Sequence, residues 1–384
     1  MVGQGSRAGS PASQGQGQDP HRALHSEAGA WRGEHPGRSR DPLVKVAGLA
    51  WLEFEKPDLG EAERFATDFG FTVADSSPEA LVLRGRLAAA PCLVIRRGPR
   101  PRFTGPAFQA AAREDLDWLA RGTGAAVTAY LGGHAVKLTD PSGIPVTVSY
   151  GVPELPALPQ RAPLPLNFGT STARVNATQR PERRPAEIER LGHVVLGTTR
   201  FRTALDWYLD TLGLIVSDFL HLDGQRERGP VMAFIRCDQG SVPTDHHTLA
   251  MLLQPHTGYV HSAYELTDLD EVAASGEYLR DRGYRHAWGI GRHIQGSQIF
   301  DYWRDPDKLM FEHYADGDVF DCTEPAGWAP LSVSGLAQWG PRATAEFTGA
   351  RDPGTVLAAI RALREKGNDI DLASLRGLVK AMSS

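Results

Sequence analysis

The chain has 384 residues, and its contents of 41% hydrophobic and 23% charged residues are ordinary for a globular protein. A formal net charge of -5 with scattered basic residues gives no reason to expect a surface that binds nucleic acid or an acidic membrane. We expect no transmembrane helix, since no run reaches the roughly 18 apolar residues that a membrane span needs.

The three cysteines, Cys92, Cys237 and Cys322, lie far apart and form no Cys-x-x-Cys pair. We therefore expect neither a disulfide framework nor a thiolate metal site, and the pattern fits the reducing cytoplasm. Residues 1–42 are rich in Gly, Ser, Gln, Arg and Pro and lack the apolar core of a signal peptide. Because they cannot bury enough surface to fold, we predict a disordered N-terminal tail.

Residues 43–152 form the first predicted domain. A strand precedes an amphipathic helix over 59–69, and three short strands follow the helix. A further strand, a helix over 115–121 and a hairpin that turns at Asp140-Pro141 complete the domain. The order of strand, helix and several strands therefore occurs twice, which indicates a repeated unit.

A Pro- and Arg-rich linker over 153–187 is predicted to be extended. The strand and helix pattern then restarts over 188–320, with helices predicted over 201–212 and 269–282. Residues 321–384 are predicted to be a helical extension. Such a tail covers either the mouth of a site or the interface with a neighbouring subunit, and the second reason is the commoner one.

Three polar residues interrupt apolar strands of the second unit, namely His193, His261 and Glu312. Glu312 lies in the second arm of a predicted hairpin, and a carboxylate there is costly to bury unless a positive group neutralises it. A single histidine in a strand is more often a hydrogen-bonded core residue than a ligand. Three such residues in order, at corresponding positions of the repeat, favour one metal site.

The two halves align through shared positions, Gly48 with Gly192 and Asp140-Pro141 with Asp305-Pro306. On this alignment the three polar residues fall opposite Leu49, Phe108 and Thr147. The first half therefore lacks all three candidate ligands, and we predict a single metal held by the second half. Two imidazoles and one carboxylate leave coordination positions open, the arrangement that non-haem Fe(II) uses to bind substrate and O2 together.

These residues, together with His246-His247-Thr248 and the block from His293 through Tyr302, resemble the type I extradiol ring-cleaving catechol dioxygenases of the vicinal oxygen chelate superfamily. The resemblance covers about residues 43–320. It implies an α+β fold of two domains, each with two βαβββ modules, and an open β-barrel in the C-terminal domain that holds the metal. It also implies an enzyme that inserts both atoms of O2 into a catechol-type ring beside its vicinal hydroxyls.

The resemblance assigns His193, His261 and Glu312 as ligands of Fe(II), with Mn(II) as the less favoured metal. It places His246 as the acid–base residue, and His247 is the alternative if the two side chains point to opposite faces of a strand. Tyr302 and His293 are predicted to hydrogen-bond the substrate. Without the resemblance these three residues are ambiguous. Tyr302 fits an ordinary strand aromatic, His293 fits a turn cap and His246 fits a surface loop residue.

The expected partner is a small catecholic molecule, with no nucleic acid or membrane partner, and a homo-oligomer is expected. Two other functions stay open. One is a metal-dependent glyoxalase-like isomerase or lyase of the same superfamily, and the other is a resistance-type protein that binds a small molecule. Metal content separates the binding protein from the enzymes, and O2 uptake with a catechol separates the dioxygenase from the isomerase.

Overall fold

The protein is described by a computed structural model over residues 25–331, 336–349 and 353–383. A short N-terminal strand, β1 (Glu27–Ala28), precedes the first domain. That domain consists of β2 (Val46–Lys56), α1 (Leu59–Phe69), β3 (Thr72–Ser76), β4 (Ala80–Arg84), β5 (Leu93–Arg97), β6 (Arg102–Ala110), α2 (Arg113–Thr123), β7 (Val127–Tyr130), β8 (Gly133–Thr139) and β9 (Pro145–Tyr150).

The second domain repeats this order of strands and helices. It consists of β10 (Arg190–Thr198), α3 (Phe201–Leu212), β11 (Leu214–Leu222), β12 (Pro230–Cys237), β13 (Thr244–Asp245), β14 (Leu249–Leu253), β15 (Gly258–Glu265), α4 (Leu269–Asp281), β16 (Arg285–His293), β17 (Ile299–Arg304), β18 (Met310–Ala315) and β19 (Val319–Phe320). The remaining elements are β20 (Gly327–Leu331), β21 (Ala337–Trp339), α5 (Ala345–Thr348), α6 (Pro353–Arg364) and α7 (Leu372–Ser383).

Each domain is one curled sheet with the first strands of its two modules side by side at the centre. In the first domain the order is β3-β4-β5-β2-β6-β9-β8-β7, with β2 antiparallel to β6. In the second, β10 and β15 take the central places of an eleven-stranded sheet, β1-β20-β11-β12-β14-β10-β15-β18-β17-β16-β21. The predicted α+β fold of paired βαβββ modules is confirmed.

Local capping explains why helix α1 agrees with its prediction. The Asp58 carboxylate accepts a hydrogen bond from the Glu61 amide at 2.9 Å, so the helix begins directly after an N-cap. Gly70 ends it with a φ of 119°, a conformation that suits glycine. The face between these caps, which includes Phe65 and Phe69, is buried against the sheet.

The two domains share a buried interface. The Lys56 ammonium at the end of β2 lies between the carboxylates of Asp305 and Asp307, in the turn between β17 and β18. Nearby, the ring of His313 on β18 stacks on Phe69 with centroids 3.8 Å apart, and its Nε2 donates to the Phe69 carbonyl at 2.7 Å. The first domain therefore supports the hairpin that carries Glu312.

Both ends of the chain differ from their predictions. The predicted disordered tail falls partly on residues 1–24, which lie outside the described residues. Residues 25–42 are ordered: β1 pairs with β20, and Trp31 covers the Arg226 guanidinium at 3.7 Å. The predicted helical extension also contributes strands, because β20 pairs with β11 and β21 pairs with β16. Sequence reasoning missed them because they are short and pair with strands far away in the chain.

The first domain lacks the row of ligands that lies in the second. In the second domain, His193, Ala263 and Glu312 are neighbours across three adjacent strands, and the corresponding row in the first domain is Trp51, Ala107 and Thr147. Trp51 is fully buried there, and its ring stacks on that of Tyr130. By strand register, Trp51 rather than the predicted Leu49 therefore occupies the place of His193.

Within the described residues, no helix combines the length and apolar character that crossing a membrane requires.

Candidate metal centre and active site

Three adjacent strands bring the predicted ligands together. His193 lies on β10, His261 on β15 and Glu312 on β18, so each ligand comes from the strand next to that of another. Their strand register places Ala263 directly between His193 and Glu312. Since cross-strand neighbours share a face of the sheet, all these side chains point into the same barrel. The small side chain of Ala263 leaves the space between the ligands open.

The ligand atoms lie within 4.8 Å of one another, which is close enough to hold one metal ion. Nε2 of His261 and Nε2 of His193 lie 3.2 and 3.4 Å from Oε2 of Glu312. Glu312 is fully buried, yet neither of its carboxylate oxygens has a hydrogen-bond partner in the described part of the chain. A bare buried carboxylate facing two imidazoles suits a divalent cation.

The electrostatics keep these side chains in the protonation states that bind metal. Burial raises the pKa of Glu312, but the facing imidazoles of His193 and His261 outweigh it and hold this pKa well below the usual range. Burial lowers the pKa of His261, against the opposing effect of Glu312. The carboxylate is therefore ionised and the imidazole neutral near pH 7, as metal binding requires.

Tyr302 and His293 form a hydrogen-bonded pair beside the ligands. Nδ1 of His293 donates to the Leu336 carbonyl at 2.9 Å, which leaves its Nε2 to accept from the Tyr302 hydroxyl at 2.8 Å. Nε2 of His293 also lies 3.7 Å from Oε1 of Glu312. Burial, followed by the charge of Glu312, raises the pKa of Tyr302 well above its usual value, so the phenol stays protonated.

His246 and His247 occupy different places relative to this centre. The ring of His247 lies against His193, with centroids 4.0 Å apart. His246 lies behind it, with Nε2 2.7 Å from Oδ2 of Asp218 and Nδ1 3.1 Å from Nδ1 of His247. Both imidazoles are buried. Of the two, His247 is the one in contact with a predicted ligand.

The network indicates which nitrogen carries each proton. Because Asp218 accepts from Nε2 of His246, Nδ1 of a neutral His246 is an acceptor. His247 then donates from Nδ1, and its Nε2 keeps a free lone pair. Burial holds the pKa of His247 well below its usual value, which favours this neutral form.

Comparison with known proteins identifies the family. Residues 190–313 match the family model of the Glyoxalase/Bleomycin resistance protein/Dioxygenase superfamily. Metapyrocatechase 2 of Cupriavidus necator is 32% identical over 335 residues, which cover 84% of this chain and 96% of that protein. The chain belongs to the extradiol dioxygenases of this superfamily. An iron-dependent extradiol dioxygenase of Rhodococcus jostii is 25% identical over 320 residues, covering 77% of this chain and 97% of the relative.

The fold of these extradiol dioxygenases is shared with other members of the superfamily. The crystal structure of an Mn(II)-bound glyoxalase from Novosphingobium aromaticivorans superposes with a TM-score of 0.65 at 22% identity, covering 79% of this chain and 94% of that one. At this identity the likeness concerns the fold alone. The choice between ring cleavage and glyoxalase-like chemistry therefore rests on the sequence relatives and on the residues of the site.

One residue of this extradiol dioxygenase site escaped sequence reasoning. Asp218, the partner of His246, lies in the mostly apolar strand β11, LIVSDFLHL, and is buried. A carboxylate in an apolar strand was the signal that singled out Glu312, and the same signal applies to Asp218. His313 points away from the metal centre, and its burial lowers its pKa to about 3.

Proposed function

We propose that this extradiol dioxygenase opens a catechol-type ring beside its two hydroxyls with Fe(II) held by His193, His261 and Glu312. The observation that carries the proposal is the bare, buried carboxylate of Glu312 facing two buried imidazoles. The relatives support the reaction and the metal, since one is named metapyrocatechase 2 and another an iron-dependent extradiol dioxygenase. Mn(II) is the less favoured metal, although a structure of the same fold holds it.

When bound in a site of two histidines and one carboxylate, Fe(II) supplies open positions for a catecholate and O2 together. A catechol must lose protons before it can bind in this way. We assign the acceptor of one proton to Nε2 of His247, which has a free lone pair and lies beside His193. The same nitrogen returns the proton later in the cycle, as a general base then acts as a general acid.

The sequence predicts His246 for this role, and its placement supports a different one. Its two ring nitrogens are engaged by Asp218 and His247, so neither is free to reach a substrate. We propose that His246 instead orients His247 and fixes which of its nitrogens carries the proton. The protonated Tyr302 hydroxyl, held by His293, is assigned to hydrogen-bond the substrate, as the sequence predicts.

Purification under anaerobic conditions, followed by metal analysis and O2 uptake with catechol, tests the proposal. We expect about one iron per chain, one O2 consumed per catechol and a yellow ring-opened product. His193→Ala and Glu312→Ala are expected to remove bound iron and activity together, because each deletes one of three ligands. Iron without O2 uptake on any catechol would favour the glyoxalase-like alternative, and full iron content in either variant would refute the ligand assignment.

We also propose that the enzyme works in the cytoplasm and forms a homo-oligomer. The three cysteines support the first, since Cys92, Cys237 and Cys322 are all unpaired thiols. Helix α6 supports the second, because its apolar side chains Leu357 and Ile360 are exposed in the single chain. Sedimentation velocity measures the assembly, and a monomer at micromolar concentration would contradict it.

A further inference from the structure

Two groups of apolar side chains border a common space inside the barrel of the second domain. The β12 wall comprises Val195, Met232, Phe234, Ala250 and Leu252. The β17 wall comprises Trp288, Phe300, Tyr302 and Phe347. Val260 and Leu336 pack against both walls, so the two walls meet around one space beside the metal centre.

Strand register places the β12 wall on the same face of the sheet as the ligands. Val195 lies opposite His261 on one side and opposite Ala250 on the other. Ala250 in turn lies opposite Phe234, whose ring centroid is 5.1 Å from that of His247. Because side chains opposite each other on neighbouring strands share a face, this wall continues directly from the metal centre.

Part of this apolar surface is left accessible by the described residues. Met232, Leu252, Val260 and Leu336 are only half-buried, although all four pack against the buried wall residues. Apolar surface that stays accessible beside a site of polar groups is typical of a pocket for an apolar part of a ligand. The hydroxyls of a catechol would face the histidines, and a ring substituent would reach these side chains.

Two arginines beside the β17 wall are engaged by one carboxylate. The Arg304 guanidinium binds the carboxylate of Glu346 and the Lys308 carbonyl, and Arg285 binds the same Glu346. Asp218, which lies opposite Phe234, adds negative charge.

Resting on the proposed function, we propose that the enzyme prefers catechols with an uncharged apolar substituent, alkyl or aryl, over catechols with a carboxylate. An apolar substituent gains free energy by covering the half-buried Met232 and Leu252. A carboxylate in the same place loses its hydration and meets no cationic side chain in either wall, so its burial is strongly unfavourable.

Matched pairs of substrates test the preference. The first pair is 3-ethylcatechol and 2,3-dihydroxybenzoate, the second is 4-ethylcatechol and 3,4-dihydroxybenzoate, and catechol itself is the reference. We expect the ethyl compound to have the higher kcat/KM in both pairs by about a hundredfold or more, the scale on which sites reject a mismatched polar group. Equal values, or a preference for the carboxylate in either pair, would overturn the inference. Failure to cleave catechol itself would instead count against the proposed function.

A charge placed in the β12 wall tests whether the apolar wall causes the substrate preference. Met232→Lys is expected to raise the carboxylate-to-ethyl ratio of kcat/KM by about tenfold or more, whereas the matched control Met232→Leu leaves the ratio unchanged. Leu252→Lys repeats the test at a second position in case the first variant fails to fold. Binding of salicylate and 2-ethylphenol to the metal-loaded enzyme, measured by calorimetry without O2, gives a readout independent of turnover. Folded lysine variants at both positions with unchanged ratios would refute the assigned pocket.

Discussion

At the scale of single residues, the open space in the metal centre depends on one methyl group. Ala263 lies between His193 and Glu312 on adjacent strands, and it is fully buried. Cross-strand side chains on one face have Cβ atoms about 5 Å apart, so a larger residue at this position projects between the ligands. The corresponding row of the first domain contains Trp51, which is fully buried.

We expect Ala263→Leu to fold with a loss of stability of about 1–3 kcal/mol and to lose most of its bound iron, although all three ligands remain. Metal analysis and thermal unfolding measure the two effects separately. Ala263→Gly is the matched control, since it removes the methyl group and keeps the space, and it should retain iron. A full iron content in the leucine variant would show that Ala263 does not border the metal.

The neighbouring histidines give a second prediction at this scale. His247→Gln should keep its iron and lower kcat by about a hundredfold or more, because the proposed general base is lost. His246→Gln should also keep its iron but lower kcat less, by about tenfold, since Gln still fills the place next to His247. Metal content and single-turnover rates of the two variants provide the comparison. A larger loss in the His246 variant would return the acid–base role to that residue.

At the scale of elements, the C-terminal extension completes the β17 wall. The Phe347 ring on α5 lies 4.5 Å from Trp288 and 4.9 Å from Tyr302 between centroids. The Trp288 indole N–H also donates to the Pro341 carbonyl at 2.8 Å. The extension thereby closes one side of the pocket rather than following the catalytic domain as an independent tail.

Phe347→Ala is therefore expected to raise the KM for catechol by about tenfold with little change in iron content, because a buried ring contact with the pocket is removed. Steady-state kinetics and metal analysis check both parts. Phe168→Ala, a change at an exposed position of the linker, serves as the control and should alter neither quantity. An unchanged KM in the Phe347 variant would place the ring outside the substrate pocket.

Local sequence signals predicted helices whose ends are marked in the sequence. Helix α3 has the predicted limits, and Gly213 ends it with a positive φ of 66°. Strand β16 gives no clear local signal, because its sequence, RHAWGIGRH, contains two glycines and little alternation of apolar and polar residues. Its place in the sheet depends on pairing with β17 and β21, which composition does not show.

The site residues also divide into those with a local signal and those that depend on distant contacts. The ligands stood out as single polar residues in apolar strands, which is a local signal. The faces of His246 and His247 could not be assigned, because β14 begins only at Leu249 and the strand rule of alternating faces does not apply before it. Asp218 was identified only when the fold placed β11 beside β12 and the loop that carries His246.

At the scale of the whole molecule, the two domains depend on a charge cluster that water barely reaches. Lys56 is 2% exposed, and Nζ lies 2.7 Å from Oδ2 of Asp307 and also contacts Asp305. Removing the cation while leaving a buried carboxylate typically costs about 3–5 kcal/mol. Lys56→Met should therefore lower the free energy of unfolding by that amount in denaturant titrations.

Neutralising Asp305 as well provides the control. The double variant Lys56→Met with Asp305→Asn should recover most of the loss, because no unpaired charge then remains at position 305 and the amide still accepts from the Leu309 N–H. Failure of the double variant to recover stability would show that the packing of the lysine stem, not its charge, matters.

The stability of the single variant Lys56→Met also depends on pH in a characteristic way. Burial raises the pKa of Asp305 and Lys56 opposes this, so removing the lysine raises that pKa further. A carboxyl whose pKa is higher in the folded state binds its proton more tightly there, and stability falls as pH rises through the ordinary aspartate value of about 3.9. The loss in the free energy of unfolding caused by Lys56→Met should thus be full at pH 7 and become smaller toward pH 4. Denaturant titrations at several pH values measure it.

The position of Lys56 also limits how the two halves of the chain can evolve separately. The residue belongs to the half without ligands, yet it anchors the turn between the strands of Tyr302 and Glu312. A mutation in the first half can therefore abolish activity without changing any residue that contacts the substrate. Exchange of first halves between relatives should yield working hybrids only where the donor brings a cation at this place, so the two halves are inherited as a matched pair.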